Sequence, residues 1–527
     1  MPFPMVALAL LLQAPAPTTV TIAVGQEPTR PIPTLLAGQA NIDVAAQLFL
    51  PLAHVGPKLV TSGDKEFEPA LARRWTRRDD RTLAFDLDPR ARWHDGAPVT
   101  SADVVFTLAR AKDAAVSPTT APQLAEIESV TAEGDGRVVF RFRRAYGEQL
   151  YDAIHHVSIL PAHLLAALPP ADVERSAFMR QPVGSGPYRW VRQVPGELTE
   201  LAAVPDFFLG RPGVERVIFR LAADPEARLN LLLSGAVDAL DNVIPPLANL
   251  ERVRAQPGLR VVAAPTTTLG FMLMNQQARG RGAPHPVLGD LRVRQALIRA
   301  LDRETMVRAA LGDFAKVPYG PVSQLLWIDD PSERPPPPDT ALARRLLAEA
   351  GYRDADGDGV LERNGQPLRL GLMVPAPSAL RRQLALVAQA QWRAVGVQAD
   401  IEIAEVATYL DRRRRGDFDL DFSATTQDPT PSTLLQSWTC AGVGANNVAS
   451  YCAPQVDSLL AAARFGRGDT RRAWRAVVRR IEADAPAVFL FATANASVLS
   501  RRLGDAALRP DSWWRDLYRW RVRPDGR

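Results

Sequence analysis

The chain has few of the residues on which metal and redox chemistry depend. Its 527 residues include two cysteines, six histidines and four lysines, beside 59 arginines. Cys440 and Cys452 have eleven residues between them and no histidine nearby, which argues against a zinc site. A close cysteine pair favours one disulfide in an oxidising compartment, and the alternative is two unrelated thiols.

Long apolar runs are scarce as well, and no stretch after the N-terminus is long and apolar enough to span a membrane. Residues 1–17 fit a signal or leader segment, with an apolar core at Met5–Leu12 and small residues at Ala14 and Ala16. Two features depart from a standard signal: no basic residue precedes the core, and Pro17 follows the expected cleavage point. Because no cysteine follows the core, a lipid anchor is not expected.

Charge of one sign is not concentrated in the chain. The net charge of +5 is small for this length, so it does not favour nucleic acid or a membrane surface as a partner. Hydrophobic content of 46% and charged content of 23% are those of a soluble globular protein with a large core. No GxxxxGK[ST] loop occurs, so the chain is not expected to bind ATP.

Helix and strand patterns alternate most clearly after residue 265, which predicts an α/β fold. Apolar residues recur at helical spacing from Asp290 to Arg308, which predicts one helix over that range. Residues Asp417–Phe422 alternate as a strand.

Five segments of the chain form a recognisable series. They are RARWHDGAPVTSADVVFTLAR (90–110), the block Pro182–Pro246 with its Gly-Ser-Gly-Pro-Tyr turn, DLRVRQALIRALDRETMV (290–307), ARRLLAEAGYRDADGDGVLERNGQPLRL (343–370) and SYCAPQVDSLL (450–460). Together they resemble the family 5 extracytoplasmic solute-binding proteins, which serve peptide and nickel ABC importers. They occur in family order and at family spacing, and the likeness covers about residues 20–500.

The resemblance implies a two-lobe periplasmic-binding-protein fold (type II, cluster C-like), with an extra subdomain on the first lobe. The chain is expected to cross between lobes near 263–268 and 485–490, and to enclose ligand when the lobes close. The expected division is a leader over 1–17, lobe I over 18–48 and 181–265, the extra subdomain over 49–180, lobe II over 266–487 and a return to lobe I over 488–527.

The resemblance also implies a ligand site. The expected contacts are Glu27, Thr119, Phe422, Ser423, Ala424, Thr425, Asp428 and Trp438. Peptide-binding members carry an acidic residue, which holds the peptide ammonium group, three positions before an acidic-Pro pair. That pair is Asp428-Pro429 here, and Thr425 stands where the acidic residue is expected. Threonine cannot neutralise an ammonium group, so an N-blocked peptide, a sugar, an opine-like molecule or another small solute is also expected, unless Asp428 or Glu27 supplies the charge.

Other signals have simpler explanations. Asp354, Asp356 and Asp358 have the spacing of a calcium loop, but Gly365 stands at its twelfth position, and a solvated turn is favoured. The arginine run 412–415 fits the end of a helix, with an acidic ligand or partner as the alternative. The pair His155-His156 lacks the accompanying ligands of a metal site.

The sequence therefore predicts the binding subunit of an ABC importer for a peptide or peptide-sized solute. It is expected to be monomeric, periplasmic in a Gram-negative bacterium, and to use no cofactor, metal or nucleic acid. Its partners would be the ligand and membrane permease subunits. The alternatives are a sensor that reports ligand to a receptor, and a hydrolase using Ser185 or His94, although Gly184-Ser185-Gly186 is not a G-x-S-x-G motif.

Overall fold

The computed structural model describes residues 18–33, 38–118, 120–243, 248–280, 282–504, 506–510 and 512–523. The leader predicted over 1–17, and Thr119, lie outside the described residues. Within these ranges, no helix has both the length and the apolar character needed to cross a membrane.

Short strands and helices alternate along the chain. The strands are β1 (Thr19–Val24), β2 (Ala53–Val55), β3 (Phe67–Pro69), β4 (Ala72–Asp79), β5 (Thr82–Leu87), β6 (Ile127–Ala132), β7 (Arg137–Phe142), β8 (Tyr188–Val194), β9 (Leu198–Ala203), β10 (Arg216–Leu221), β11 (Ala239–Leu240), β12 (Leu259–Met274), β13 (Ala315–Lys316), β14 (Glu362–Arg363), β15 (Gln366–Pro367), β16 (Arg369–Pro375), β17 (Gln398–Ala404), β18 (Leu420–Thr426) and β19 (Ala487–Ser500). The α-helices are α1 (Gln39–Leu48), α2 (Ser101–Lys112), α3 (Gln149–Ile154), α4 (Ala162–Leu165), α5 (Ala177–Arg180), α6 (Pro225–Leu233), α7 (Ala248–Arg254), α8 (Leu291–Arg299), α9 (Arg303–Leu311), α10 (Thr340–Glu349), α11 (Ala379–Arg393), α12 (Val406–Arg415), α13 (Thr433–Trp438), α14 (Pro454–Phe465) and α15 (Thr470–Asp484).

One long sheet runs through two lobes, in the order β17-β16-β18-β12-β19-β11-β1-β10-β9-β8, with β13 beside β19. The two longest strands, β12 and β19, pair antiparallel at its centre, and their register shifts between Pro265 and Leu269. On one side of this shift β19 also pairs with β11, and on the other β12 also pairs with β18. The β12–β19 pair therefore joins the halves of the predicted two-lobe α/β fold.

A second sheet forms the body of the extra subdomain. It is antiparallel, in the order β4-β5-β7-β6, and α2 packs beside it. A capping box begins α2: the Thr100 backbone N–H donates to Asp103 Oδ2 at 2.8 Å. The second lobe instead buries two apolar clusters, one containing Phe422 and the other Trp438.

Two secondary-structure predictions are wrong in detail. The single helix expected over 290–308 is two helices, α8 and α9. Asp302 ends the run because its carboxylate accepts the Thr305 backbone N–H at 3.1 Å and so begins a new helix. The strand expected at Asp417–Phe422 lies at Leu420–Thr426, since Asp417 and Phe418 belong to the turn that follows α12.

Candidate functional site

Strand β18 carries four of the predicted contact residues, and its alternation divides them between two faces. Phe422 is fully buried in the core on one face, and Ala424 follows it there, half-buried. Ser423, which is buried, and Thr425, which is exposed, point to the other face. The structure thus places Thr425 at an accessible wall and Phe422 among core side chains, and ligand contact by these four residues stays a prediction.

A cavity of about 190 Å³ lies against that second face. Its walls come from β12, from the end of β18 and from α13, and they include Thr425 and Trp438. The segment 445–449 forms a further wall, and the Cys440–Cys452 disulfide closes the loop that contains it. The predicted disulfide is therefore confirmed, and it encloses part of the cavity lining.

Trp438 combines packing with access to this cavity. Its ring centroid lies 5.7 Å from that of Phe489 and 6.1 Å from that of Tyr451, both in edge-on arrangements. Only 3% of the residue is exposed, yet it borders the cavity. The indole is therefore fixed in orientation, as a stacking surface for a ligand requires.

Arg413 is the only charged residue in the described lining of this 190 Å³ cavity, which is called the smaller cavity below. Its Nε donates to Asp421 Oδ2 at 2.8 Å, and the Tyr409 hydroxyl donates to Asp421 Oδ1 at 2.6 Å. Burial acts to lower the pKa of Arg413, but the charge of Asp421, the neighbouring Tyr409 and the hydrogen bond to Asp421 together outweigh burial and raise it. The guanidinium is therefore held in place as a cation at the cavity wall.

Sequence analysis did not single out Arg413, because the whole run 412–415 was treated as the end of a helix. A signal was present: Tyr409 and Arg413 are four residues apart on α12, and Asp421 is an acidic residue within a buried strand. Arg414 and Arg415 instead pair with Asp411 at the surface, as the solvated-end interpretation expects.

A larger cavity of about 610 Å³ lies between the subdomain and the second lobe. The subdomain contributes Tyr151, Asp152 and His156, and the opposite side includes Asp428 and Arg464. The two cavities share Gln436 and Asn446 in their walls, so they adjoin. Their combined size suits a ligand of several residues or a sugar.

Glu27 lies away from both cavities. Its Oε1 accepts the Gln193 side-chain amide at 3.0 Å and the Gly196 backbone N–H at 3.1 Å. The carboxylate thereby holds the turn between β8 and β9. A ligand contact by Glu27 stays a prediction, and so does the one by Thr119.

The acidic loop at 354–362 forms a compact turn. The carboxylates of Asp354, Asp356, Asp358 and Glu362 place oxygens within 4.8 Å of one another. Asp354 accepts the backbone N–H groups of Gly357 and Gly359, at 2.8 and 3.2 Å, and Glu362 accepts that of Ala355 at 2.9 Å. These bonds stabilise the turn that the sequence favours over a calcium site.

His94 holds a backbone turn. Its Nδ1 accepts the Gly184 N–H at 3.1 Å, and its Nε2 lies 3.1 Å from the Gly186 carbonyl oxygen. Burial lowers the pKa of His94 to about 4. Because both ring nitrogens are occupied by the backbone, the imidazole is not placed to act as a base for Ser185.

Comparison with known proteins identifies the family. The family model described as "Bacterial extracellular solute-binding proteins, family 5 Middle" matches residues 66–446. The chain belongs to this family. Its members are solute-binding proteins that act outside the cytoplasm.

Individual relatives are similar over most of their length. The chain is 30% identical to Protein XP55 of Streptomyces lividans over 500 residues, covering 92% of this chain and 86% of the relative. It is 27% identical to the oligopeptide-binding protein AppA of Bacillus subtilis over 454 residues, covering 83% and 80%. The solved structure of AppA with a nonapeptide superposes with a TM-score of 0.78 at 24% identity, covering 96% of this chain and 100% of AppA, which supports the two-lobe fold.

Proposed function

We propose that this family member is the substrate-binding subunit of an ABC importer. It captures a peptide or peptide-sized solute between its lobes and delivers it unaltered to a membrane permease. The observation that carries this proposal is the pair of adjoining cavities, bordered by Thr425, Asp428 and Trp438, of which the larger lies between subdomain and second lobe. The name of the AppA relative supports the ligand class.

Closure about the β12–β19 pair is the proposed mechanism. The register shift lies between Pro265 and Leu269 on β12, opposite 492–494 on β19. We therefore place the two crossings between lobes there, with the subdomain over 49–180 and lobe II between the crossings. A ligand that binds the closed arrangement more tightly than the open one shifts the population of protein molecules toward the closed arrangement.

The proposed cellular setting follows from family and covalent structure. An extracytoplasmic protein meets an oxidising environment, which suits the Cys440–Cys452 disulfide. We place the protein in the periplasm of a Gram-negative bacterium, as a monomer.

The ligand end that reaches Thr425 is proposed to be neutral or acidic. Thr425 offers a hydroxyl group but no negative charge, and Arg413 is a cation in the same lining. A free ammonium group at this position would lose hydration without gaining a counter-charge. Asp428 borders the larger cavity, where a basic ligand group would find it.

A binding screen tests both parts of the proposal. Thermal-shift screening with a metabolite library, zwitterionic tripeptides and their N-acetylated counterparts should show stabilisation by a specific ligand. Zwitterionic tripeptides should bind weakly to the wild type, and Thr425→Asp should strengthen their binding by about tenfold. Thr426→Asp is the matched control, because Thr426 is also exposed on β18 but points to the opposite face.

Sub-micromolar binding of zwitterionic tripeptides to the wild type would contradict the role assigned to Thr425. Conversion of the stabilising ligand into a product, detected by mass spectrometry, would contradict solute binding as the function.

A further inference from the structure

A buried carboxylate connects the subdomain to the second lobe. Glu148 stands just before α3 in the subdomain and is 3% exposed. Its Oε1 accepts hydrogen bonds from the hydroxyl groups of Thr61, at 2.9 Å, and Thr430. Its Oε2 accepts one from Ser432. Two of these three donors belong to the opposite side of the larger cavity, so the contact crosses the gap between lobes.

A neighbour favours the direction of the hydrogen bond from Thr61. Trp327 Nε1, from the second lobe, donates to Thr61 Oγ1 at 3.0 Å, so the Thr61 hydroxyl proton is free to point at Glu148. Burial raises the pKa of Glu148, with Asp152 adding to the effect, while the hydroxyl bonds oppose it. Hydroxyl donors from both sides thus compensate a carboxylate that would be costly to bury without them.

Adjacent contacts cross the same gap. Arg464 Nη2 of the second lobe lies 3.2 Å from Asp152 Oδ2 of the subdomain. The rings of Tyr146 and Phe465 meet edge-on with centroids 5.8 Å apart. The carboxylate is therefore part of a continuous interface rather than an isolated bond.

The lobe II donors also belong to the ligand cavity. Thr430 and Ser432 follow Asp428 closely in the chain, and all three border the larger cavity. Any movement that separates the lobes must break the bonds from Thr430 and Ser432 to Glu148 and displace this cavity wall.

We propose that Glu148 is a positioning residue that holds the lobes closed and fixes the 428–432 segment at the cavity. We call the set Thr61, Glu148, Trp327, Thr430 and Ser432 the Glu148 cluster. The inference rests on the proposed two-lobe capture, but the cluster acts whether or not a ligand is present, because every bond in it is between protein groups.

The test measures the distance between lobes in the full chain without ligand. Nitroxide labels at Thr131→Cys in the subdomain and Leu386→Cys on α11 occupy exposed positions, and electron–electron resonance gives their distance distribution. Four variants are compared with the labelled wild type: Glu148→Ala, Glu148→Gln, the double variant Thr430→Val/Ser432→Ala, and Glu66→Ala. Glu66 is the matched control, since its pair with Lys58 stays within the subdomain.

The labelled wild type should show a short-distance population. Glu148→Ala removes the carboxylate that accepts these hydrogen bonds, and the lobe II double variant removes two of the hydroxyl groups that donate them. Each should therefore reduce that population about twofold or more. Glu148→Gln keeps an acceptor oxygen and the side-chain shape, so it should retain most of the population, as should Glu66→Ala. If Glu148→Ala does not fold, the double variant still decides the question.

Distance distributions that are the same in the double variant and the wild type would overturn the inference. So would a wild type that lacks the short-distance population. Neither result bears on whether a solute binds, so failure here is distinguishable from failure of the proposed function.

Discussion

At the scale of single residues, a buried acid in the first lobe gives the clearest pH dependence. Asp43 lies on α1 and is 4% exposed, and the Gln39 amide donates to its Oδ1 at 2.8 Å. Burial raises the pKa of Asp43 to about 8, against the opposing bond from Gln39, and the charge of Asp241 adds to the rise. An acid whose folded pKa exceeds its unfolded value binds more protons when folded. The free energy of unfolding is therefore expected to fall as pH rises from about 4 to about 8.

Asp43→Asn should remove this fall in stability with rising pH, while keeping an oxygen that accepts the hydrogen bond from the Gln39 amide. We expect the variant to be more stable than the wild type by about 1–3 kcal/mol at pH 8, and to differ little near pH 4. Urea unfolding across this pH range measures the difference. Asp80→Asn is the control, because the Asp80 side chain is 67% exposed. Equal stability of Asp43→Asn and wild type at pH 8 would show that Asp43 is ionised without cost.

Sequence reasoning at this scale succeeded where chemistry was local. The disulfide depends on two residues close in the chain, and it is present. It could not show that Phe422 lies in the core while Thr425 borders the cavity, because assigning the two faces of β18 requires knowing which side meets the cavity. It also missed Glu148, whose meaning depends on hydroxyl groups more than 280 positions away.

At the scale of elements, the loop closed by the Cys440–Cys452 disulfide connects α13 to α14 and supplies one wall of the smaller cavity. Within it, the Asn447 side-chain amide donates to the Thr439 carbonyl at 2.9 Å and also to the Tyr451 carbonyl. The covalent bond and these hydrogen bonds act together to hold the wall in one conformation.

Removing the disulfide should weaken both fold and binding. For Cys440→Ser/Cys452→Ser, we expect a loss of about 2–3 kcal/mol in the free energy of unfolding, since a short loop is no longer constrained in the unfolded chain. Affinity for a ligand found by the thermal-shift screen should fall as the wall loosens. Denaturation and calorimetry measure the two effects, and the wild type treated with reductant should behave like the variant. Unchanged affinity would mean that this loop does not border the bound ligand.

Element boundaries were predictable where a periodic pattern ended at a capping residue. The helix α15 is such a case, since the Asp469 side chain caps its start. The break between α8 and α9 was missed because apolar spacing continues through Leu301, and the cap at Asp302 competes with that pattern.

At the scale of the whole molecule, two halves of one sheet meet at the β12–β19 pair, and the Glu148 cluster connects the subdomain to the second lobe. The order of five sequence segments was enough to predict two lobes and an extra subdomain. The contact across the cavity was not predictable, because it depends on how the lobes are oriented, which no local pattern encodes.

The most direct test of the whole account is small-angle X-ray scattering of the full chain with and without a ligand from the screen, followed by mass spectrometry of the released ligand. The account predicts that saturating ligand reduces the radius of gyration of the protein. It also predicts that the ligand released afterwards has the same mass as the ligand that was added. Identical scattering profiles at saturation, or a ligand recovered in cleaved form, would contradict capture by closure of two lobes.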